Sequence, residues 1–292
     1  GSKIWQTSRR KLNYGNKTLV MGILNVTPDS FSDGGKFDSF ETALEQAELM
    51  IAAGADILDI GGESTRPNSQ RISIEEETRR VIPIISEITR QFDIAVSIDT
   101  TKSAVARAAI EAGAEIINDI SGLRFDPEIG VLAAETKVGL VLMHLRGDFE
   151  TMHQQIPVER VLPEVITGLS QSAAKAASFG VKDEQIALDI GIGFSKTLSQ
   201  NLELLARLDE ICHNLNDFPL LVGTSRKSFI GKILSESLSA PAISADRLYG
   251  TMSSIAIAVF NGANIIRVHD VRAAVETVRI AEALRNVTDR QN

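Results

Sequence analysis

Eight short apolar runs, each closed by polar residues, limit what this chain can form more than any other feature. They are "VMGILN", "DILDIGGEST", "VSIDT", "EIINDISG", "LVLMH", "IALDIG", "LLVGTSRK" and "IIRVHD". Runs rich in Val, Ile and Leu without strict alternation are typical of strands buried on both faces, as in a parallel sheet. Parallel strands end on the same side, so one mouth is expected to collect Asn25, Glu63, Asp99, Asn118, His144, Asp189, Lys227, Arg267 and His269.

Helical patterns fill the gaps between these runs. A phrase made of a helix end, a glycine and a new strand recurs at 52–61, 111–120 and 260–269, with a longer version at 178–191. The glycine suits the left-handed position that closes a helix. Ser39 is predicted as the N-cap of the first helix, and Ser73 with Glu76 as a capping box for the second. Alternation of this kind predicts an α/β fold, a (β/α)8 TIM barrel in a single domain.

A doubly wound open sheet is the alternative architecture. It has little support, because the glycine-rich fingerprint G-x-G-x-x-G is missing after the first run. The expected boundaries are an N-terminal extension over 1–17, the barrel over 18–286 and a C-terminal tail over 287–292. Gly1 and Ser2 are expected to be the remnant of a removed tag.

Composition excludes several classes of function. The net charge of -8 argues against a nucleic-acid partner, which needs a basic surface. The single cysteine, Cys212, lies in a helical pattern, so a buried apolar role is expected and a disulfide framework or cysteine-based zinc site is excluded. No apolar run reaches membrane-spanning length and no signal peptide is visible, so the chain is expected in the cytoplasm without a membrane partner.

The first strand is followed by a polar loop in "MGILNVTPDSFSDGG" (21–35). Asn25 stands at the strand end, where an amide oxygen is a suitable ligand for a hard cation such as Mg2+. Phe31 is a large aromatic residue in this loop, which is typical of a lid or a stacking platform. An ordinary turn-rich connection explains the composition equally well.

The second strand leads into "GGESTRPN" (61–68), which offers hydroxyl and guanidinium donors. Ser64, Thr65 and Arg66 suit a phosphate or a carboxylate. The alternative is a capped turn before the helix that begins near Ser73.

Three further strand ends carry side chains with hydrogen-bond acceptor oxygens. Asp99, Asn118 and Asp189 form an acidic pair with one amide, a set that suits a heterocycle with several N–H donors. Another strand ends in Met143 and His144. A hydrogen-bonded wall is the simpler interpretation of His144.

The last two runs carry cations. Ser225, Arg226 and Lys227 follow a buried strand, and adjacent cations there are costly unless an anion or carbonyl receives them. Arg267 and His269 alternate on the final strand and therefore share one face. The pair predicts an anion site, since the last strands of such barrels commonly bind phosphate. An ion pair with Asp270 or Glu276 is the alternative.

Known nucleophile patterns are missing: the sequence has no Ser-His-Asp order, no P-loop and no H-E-x-x-H. It offers positioning groups, a cation site and an anion clamp. This combination favours displacement of a phosphate-type leaving group.

Taken together, the motifs resemble the dihydropteroate synthase family from about residue 20 to 283. "MGILNVTPDSFSDGG", "GGESTRP", "IINDISG", "LVGTSRKSFIG" and "IIRVHDV" each match a family signature. The resemblance implies a (β/α)8 barrel and a homodimer. It also implies condensation of 6-hydroxymethyl-7,8-dihydropterin diphosphate with p-aminobenzoate, Mg2+ as cofactor and inhibition by sulfonamides.

Site roles follow from the resemblance residue by residue. It implies that the diphosphate is bound by Asn25, which also ligates Mg2+, and by Thr65, Arg267 and His269. It assigns the pterin to Asp99, Asn118, Met143, Asp189 and Lys227. It assigns p-aminobenzoate and sulfonamides to Phe31, Arg66, Pro67, Ser225 and Arg226. It implies a catalytic group made of Asn25, Asp99, Lys227, Arg267 and His269.

Two positions depart from the family pattern. Ile190 replaces the usual proline after Asp189, which frees a backbone torsion, and Ser195 replaces a common glycine. Both departures put the aim of Asp189 in question. The alternatives are a pterin-dependent methyltransferase barrel and a non-catalytic pterin-binding paralogue.

Overall fold

The computed structural model describes residues 3–15, 17–27, 36–236 and 247–289. Its centre is a closed barrel of eight parallel strands. A two-stranded hairpin precedes the barrel, formed by β1 (Ile4–Gln6) and β2 (Lys11–Asn13). The barrel strands are β3 (Leu19–Asn25), β4 (Ile57–Gly61), β5 (Ala95–Asp99), β6 (Ile116–Asp119), β7 (Gly139–Met143), β8 (Ile186–Asp189), β9 (Leu220–Val222) and β10 (Ile265–Val268).

The strands follow chain order around the barrel, and β10 closes it by pairing with both β9 and β3. The TIM-barrel prediction is therefore confirmed. The helices are α1 (Lys36–Ala52), α2 (Ile74–Gln91), α3 (Ser103–Glu111), α4 (Glu128–Thr136), α5 (Val161–Ser178), α6 (Leu198–Ala206), α7 (Leu208–Asn214), α8 (Ser228–Ser235), α9 (Leu248–Phe260) and α10 (Val271–Asp289). Helix α10 runs through 287–289, which the sequence pattern assigns to the tail.

Helix boundaries agree in part with the predicted caps. The Ser73 side chain accepts a hydrogen bond from the Glu76 amide at 3.1 Å, so the N-cap of α2 is confirmed. Ser39 as an N-cap is wrong, because α1 already begins at Lys36. A serine inside a first turn and a serine before it look alike in sequence.

The glycines of the recurring phrase close helices as predicted. Each has a positive φ: Gly54 102°, Gly113 120°, Gly180 95° and Gly262 110°. At Gly113 space adds to the requirement, since a Cβ atom would lie 2.7 Å from the Thr89 hydroxyl. The backbone can therefore turn there from helix into strand only without a side chain.

Two apolar layers hold the barrel. The larger layer lies between the strands and the surrounding helices. The smaller one fills the barrel beside the strand starts and includes Trp5 from the hairpin, fully buried, whose Nε1 donates to the Gln185 carbonyl at 2.7 Å. The hairpin is not predicted by the sequence pattern. It closes one end of the barrel and leaves the other end, where the strands finish, for polar groups.

In the part of the chain that is described, no helix combines the length and the apolar character needed to cross a lipid bilayer.

Candidate active site

The carboxyl ends of the barrel strands bring several predicted side chains into direct contact. At the centre, Arg267 on β10 donates from Nε to Oδ2 of Asp59 at 2.7 Å and from Nη2 to Oδ2 of Asp99 at 3.0 Å. Asn118 on β6 donates to the same oxygen of Asp59 at 2.9 Å. Residues from four strands thus form one hydrogen-bonded group inside the barrel, which we call the carboxylate–arginine cluster: Asp59, Asp99, Asn118 and Arg267.

Asp59 is a site residue that the sequence pattern does not single out. Its side chain is fully buried in β4, two positions before the strand ends at Gly61. A buried carboxylate is costly without a charged partner, and Arg267 is that partner. The only available signal is an aspartate inside a run of large apolar residues.

Arg267 and His269 do not form the alternative ion pairs. Asp270 instead pairs with Arg226, with Nη2 and Oδ1 2.8 Å apart. Glu276 lies 3.7 Å from Arg272 on its own helix. Arg267 instead binds Asp59 and Asp99, and His269, just after β10, contacts Ser225.

Charge in the carboxylate–arginine cluster is unevenly compensated. Burial raises the pKa of Asp99 above its usual range, and Asp59 raises it further, while Arg267 opposes both. Two carboxylates share one guanidinium, so Asp99 binds a proton more readily than an exposed aspartate does.

Asp189 is buried and Lys227 is half-buried, and their opposite charges act on each other's pKa. Asp189 accepts a hydrogen bond from the Gly191 amide at 2.9 Å through Oδ1. Burial raises the pKa of Asp189, and Lys227 is the largest effect against it. Burial lowers the pKa of Lys227 to about 8, although Asp189 favours its charged form. The Lys227 ammonium donates to the Ile192 carbonyl and lies 5.2 Å from the centre of the Phe194 ring.

Ser225 holds His269 in place. The Ser225 hydroxyl is 2.8 Å from Nδ1 of His269 and accepts a hydrogen bond from the His269 amide at 3.0 Å. Burial lowers the pKa of His269 to about 3, with Arg226 and Arg267 adding to the effect, so the imidazole is neutral at pH 7. When the hydroxyl donates to Nδ1, the ring proton sits on Nε2, which makes Nε2 a hydrogen-bond donor.

The loop after β4 carries Thr65, Arg66 and Pro67 at the surface of the mouth. Arg66 and Pro67 are exposed and Thr65 is half-buried. The Thr65 carbonyl lies 2.7 Å from Nε2 of His153, whose ring stacks on Phe194 at a centroid distance of 5.5 Å. This loop therefore touches the loops that follow β7 and β8.

His144 fits the wall interpretation. It is buried, and its Nδ1 lies 3.0 Å from the ammonium of Lys196. Burial lowers the pKa of His144 to about 3, and Lys196 contributes to the shift. Met143 is also buried, in a small apolar cluster with Ile120, Leu145, Phe149 and Met152.

Lys196 and Ser195 hold the loop after β8, where the two family departures lie. Lys196 donates to the carbonyls of Gly191 and Phe194, both at 2.9 Å. Ser195 adopts a left-handed φ of 57°, as the glycine it replaces would, and its hydroxyl donates to the Met152 carbonyl at 2.7 Å. Ile190 is fully buried. Side-chain contacts thus fix the loop without the proline.

Two predicted residues stand apart from these contacts. Asn25 ends β3 and is half-buried. Phe31 lies outside the described residues. Within the described residues, no group of three or more His, Cys, Asp and Glu side chains is placed to hold a metal ion.

Comparison with known proteins agrees with this geometry. The model of the pterin binding enzyme family matches residues 21–269. The chain is 48% identical over 272 residues to the dihydropteroate synthase of Synechocystis sp., covering 93% of this chain and 92% of that protein. The barrel mouth carries carboxylate, amide and ammonium groups, and the family model matches most of the chain. The chain therefore belongs among the pterin-binding enzymes.

Solved structures narrow the class. Dihydropteroate synthase of Xanthomonas albilineans with 4-aminobenzoic acid has a TM-score of 0.89 and 38% identity, covering 97% of this chain and 98% of that chain. The enzyme of that organism in complex with 7,8-dihydropteroate has a TM-score of 0.85 and 35% identity, covering 96% and 98%. The chain belongs to the dihydropteroate synthase family.

Proposed function

We propose that this chain condenses 6-hydroxymethyl-7,8-dihydropterin diphosphate with p-aminobenzoate, giving 7,8-dihydropteroate and pyrophosphate. The observation that carries the proposal is the carboxylate–arginine cluster together with the buried Asp189 and the half-buried Lys227. These groups present acceptors and donors to a flat, polar heterocycle inside an otherwise apolar barrel.

We assign the pterin to the inner groups. Asp99, Asn118, Asp189 and Lys227 lie on strands β5, β6 and β8 and just after β9, with Met143 as an apolar wall. A carboxylate accepts two parallel hydrogen bonds, which matches the amino and ring N–H groups of a pterin. The Lys227 ammonium serves the carbonyl side of the ring.

The leaving group is assigned to Asn25, Thr65, Arg267 and His269. Arg267 supplies a guanidinium at the mouth, and the Nε2 donor of His269 adds a neutral hydrogen bond. The arylamine is assigned to the outer loops, with Arg66, Pro67, Ser225 and Arg226 around it and Phe31 in the undescribed segment. Ser225 is buried against His269, so it links the arylamine and anion sides.

We infer a dissociative reaction. The bond between the pterin methylene carbon and the diphosphate oxygen breaks, and its electron pair leaves with pyrophosphate. The arylamine nitrogen then attacks the methylene carbon and releases its proton to water. An arylamine is unprotonated at neutral pH, which agrees with a site whose histidines, His144 and His269, are both neutral and hydrogen-bonded.

Pyrophosphate release dependent on p-aminobenzoate tests the proposal. The purified chain is expected to release one pyrophosphate per dihydropteroate formed. A methyltransferase barrel would release none, and a non-catalytic paralogue would bind pterin without turnover. Either of those results contradicts the proposed function.

Mg2+ is expected to be required for turnover. Magnesium typically uses one or two protein oxygens and completes its shell with water and substrate phosphates. The amide of Asn25 at the end of β3 supplies one oxygen of that kind. Among the described residues, no cluster of His, Cys, Asp and Glu side chains is placed to hold a metal by itself. When bound, Mg2+ neutralises diphosphate charge. Activity should disappear on exhaustive chelation and return with Mg2+; full activity after chelation would exclude the requirement.

The contribution of Lys227 to pterin binding is expected to fade above pH 8. Burial lowers its pKa to about 8, so the free protein loses the ammonium as the pH rises through that value. A hydrogen bond from a charged donor contributes roughly 1.5–3 kcal/mol, so Lys227→Met should weaken pterin binding about tenfold or more at neutral pH.

Calorimetry across the pH range checks this prediction. The affinity ratio between wild type and Lys227→Met should fall towards one as the pH rises through the pKa of Lys227, because only the protonated lysine donates the charged hydrogen bond. The ratio cancels the titration of Asp99, which both proteins share. A constant ratio would remove Lys227 from the pterin site.

We propose a homodimer formed through helices α9 and α10. Their outer face is apolar and borders a cavity of about 450 Å3. Four large side chains are exposed there: Ile257 52%, Phe260 43%, Ile280 66% and Leu284 59%. An exposed apolar patch of this kind marks an interaction surface, and a second copy of this chain is the occupant that the family resemblance implies.

Charges placed on that face are expected to give a monomer. The double variant Ile280→Glu/Leu284→Glu should lower the mass measured by light scattering from dimer to monomer. Leu49→Glu, at an equally exposed leucine on α1, is the matched control and should stay dimeric. An unchanged mass for the double variant would move the interface elsewhere.

We extend the proposal to inhibitor sensitivity and compartment. Sulfonamides share the aryl amine of p-aminobenzoate, so we expect them to compete for the side formed by Arg66, Pro67, Ser225 and Arg226. We place the reaction in the cytoplasm.

A further inference from the structure

A buried ion cluster outside the site lies beneath the loop over 62–73, which follows β4. Its members are Glu63, Glu77 and Lys102, and we call it the loop anchor. The Lys102 ammonium donates to Oε2 of Glu63 at 2.8 Å and to Oε2 of Glu77 at 2.6 Å. The three side chains are 6%, 0% and 13% exposed for Glu63, Glu77 and Lys102.

The loop anchor ties the two ends of the loop to each other. The carboxylate of Glu63, near the loop start, also accepts a hydrogen bond from the Ile72 amide at 2.9 Å, near the loop end. A single oxygen, Oε2, therefore binds the far end of the loop and the ammonium of Lys102.

The same cluster ties the loop to the barrel. Glu77 belongs to α2, and its Oε1 accepts from the Thr100 hydroxyl, just after β5, at 2.7 Å. Lys102 precedes α3. Arg71 adds a second cation, with Nε 4.0 Å from Oε2 of Glu63 and Nη2 donating to the Thr101 hydroxyl at 2.9 Å.

Contacts inside the loop do not attach it to the barrel. The Ser69 hydroxyl donates to the carbonyls of Ser64 and Arg66, at 2.8 and 2.6 Å, and these bonds only shape the turn. The remaining polar contact of the outer part is between Thr65 and His153, itself on a neighbouring loop. Arg71 also attaches the loop end through Thr101, and Arg80 of α2 binds the Gly62 carbonyl. Lys102 differs from both because its ammonium joins the loop carboxylate of Glu63 to the buried Glu77.

Removing the ammonium would also leave two buried carboxylates facing each other. Glu63 and Glu77 bind the same nitrogen, so they lie close together. Like charges in a buried position repel strongly, and a buried ion pair that loses one partner is destabilised. The loop end is the part that can move to relieve this repulsion.

We propose that Lys102 is a positioning residue that sets the place of Thr65, Arg66 and Pro67 without touching substrate. The inference rests on the proposed function, which gives those residues to the diphosphate and to p-aminobenzoate. The inner pterin groups lie on barrel strands or, for Lys227, just after β9, and none of them belongs to the loop over 62–73. Lys102 therefore controls the arylamine side separately from the pterin side.

The variant Lys102→Met tests this separation with two measurements. Hydrogen exchange of the 62–73 backbone should speed up roughly tenfold or more, because the loop opens locally. The KM for p-aminobenzoate should rise about tenfold, which corresponds to 1.4 kcal/mol at 25 °C, while the calorimetric Kd for a pterin lacking diphosphate should change less than about twofold.

Controls separate positioning from general instability. Lys102→Arg keeps a cation and should restore most of the exchange protection and KM. Lys17→Met removes an ion pair with Asp56 and should change neither quantity. If Lys102→Met does not fold, Glu63→Gln, which keeps the Lys102–Glu77 pair, should give the same pattern.

Unchanged loop exchange and unchanged KM in a folded Lys102→Met or Glu63→Gln protein would overturn the inference. Equal losses for p-aminobenzoate and pterin would also overturn it. A wild-type protein without turnover would contradict the proposed function instead, and the exchange experiment, which needs no substrate, would still decide whether Lys102 anchors the loop.

Discussion

Replacing Asp189 by alanine is expected to abolish tight pterin binding. The carboxylate is buried, and the bound heterocycle would lose two charge-assisted hydrogen bonds while its N–H groups remain desolvated. The loss should be roughly 2–4 kcal/mol, or about thirty- to a thousandfold in Kd. Because the Gly191 amide also loses its acceptor, the loop after β8 should loosen as well.

Calorimetry with a pterin that lacks diphosphate measures this effect directly. Asp119→Asn is the matched control. Asp119 is an equally buried aspartate at the end of β6, but its oxygens accept from Ser121 and Leu123 within its own turn. It should leave pterin affinity within about twofold. A change of less than about threefold for Asp189→Ala would show that Asp189 does not bind the ring.

Replacing Arg267 by methionine is expected to remove activity and to destabilise the fold. The fully buried Asp59 would keep only Asn118 as a hydrogen-bond partner, and Asp99 would lose its cation. Breaking a buried ion pair by removing one partner costs about 3–5 kcal/mol. Urea unfolding should detect this loss, and pyrophosphate release should fall to background.

Two further variants separate the contribution of Arg267 to stability from its contribution to activity. Asp59→Asn/Arg267→Met removes the orphaned carboxylate, so it should regain stability but not activity. His269 is hydrogen-bonded to Ser225 and not to the carboxylate–arginine cluster. His269→Ala should therefore weaken binding of the diphosphate substrate far more than binding of a pterin without diphosphate. An Arg267→Met protein with wild-type stability and near-normal turnover would contradict both the pairing and the proposed role.

Much of the site is predictable from the sequence, because the carboxyl ends of parallel strands meet at the same end of the barrel. Asp99, Asn118, Asp189 and Arg267 each lie at the end of a Val- and Ile-rich run, and strand direction alone brings them to one mouth. The glycines that close the preceding helices mark where the strands start. Local pattern therefore fixes which residues meet, although they are far apart in the chain.

Which charged side chains form ion pairs with each other is not predictable in the same way. Arg267 pairs with Asp59, 208 positions earlier, whereas the nearby Asp270 turns to Arg226. Such pairs depend on strand register and on which carboxylate is buried, and neither is visible in a local window. The roles of Lys102 and Lys196 are not predicted either, because a lysine in a polar loop is normally taken as exposed.

The hairpin at 4–13 and the start of α1 show a different limit. Three-residue strands carry too few positions for a periodic signal, so Trp5 gives no sign of filling the barrel. The predicted cap at Ser39 fails because several residues near it are equally good first-turn residues.

Because the final strand closes the barrel, the barrel cannot be complete until the end of the chain has been synthesised. During synthesis the chain emerges N-terminus first, so β3 to β9 are complete while Arg267 is still missing. Such an intermediate has two unpaired strand edges, on β3 and β9, and two interior aspartates without their cation. Addition of β10 pairs both edges and brings one guanidinium to both aspartates. The carboxylate–arginine cluster is therefore complete only when the barrel is closed.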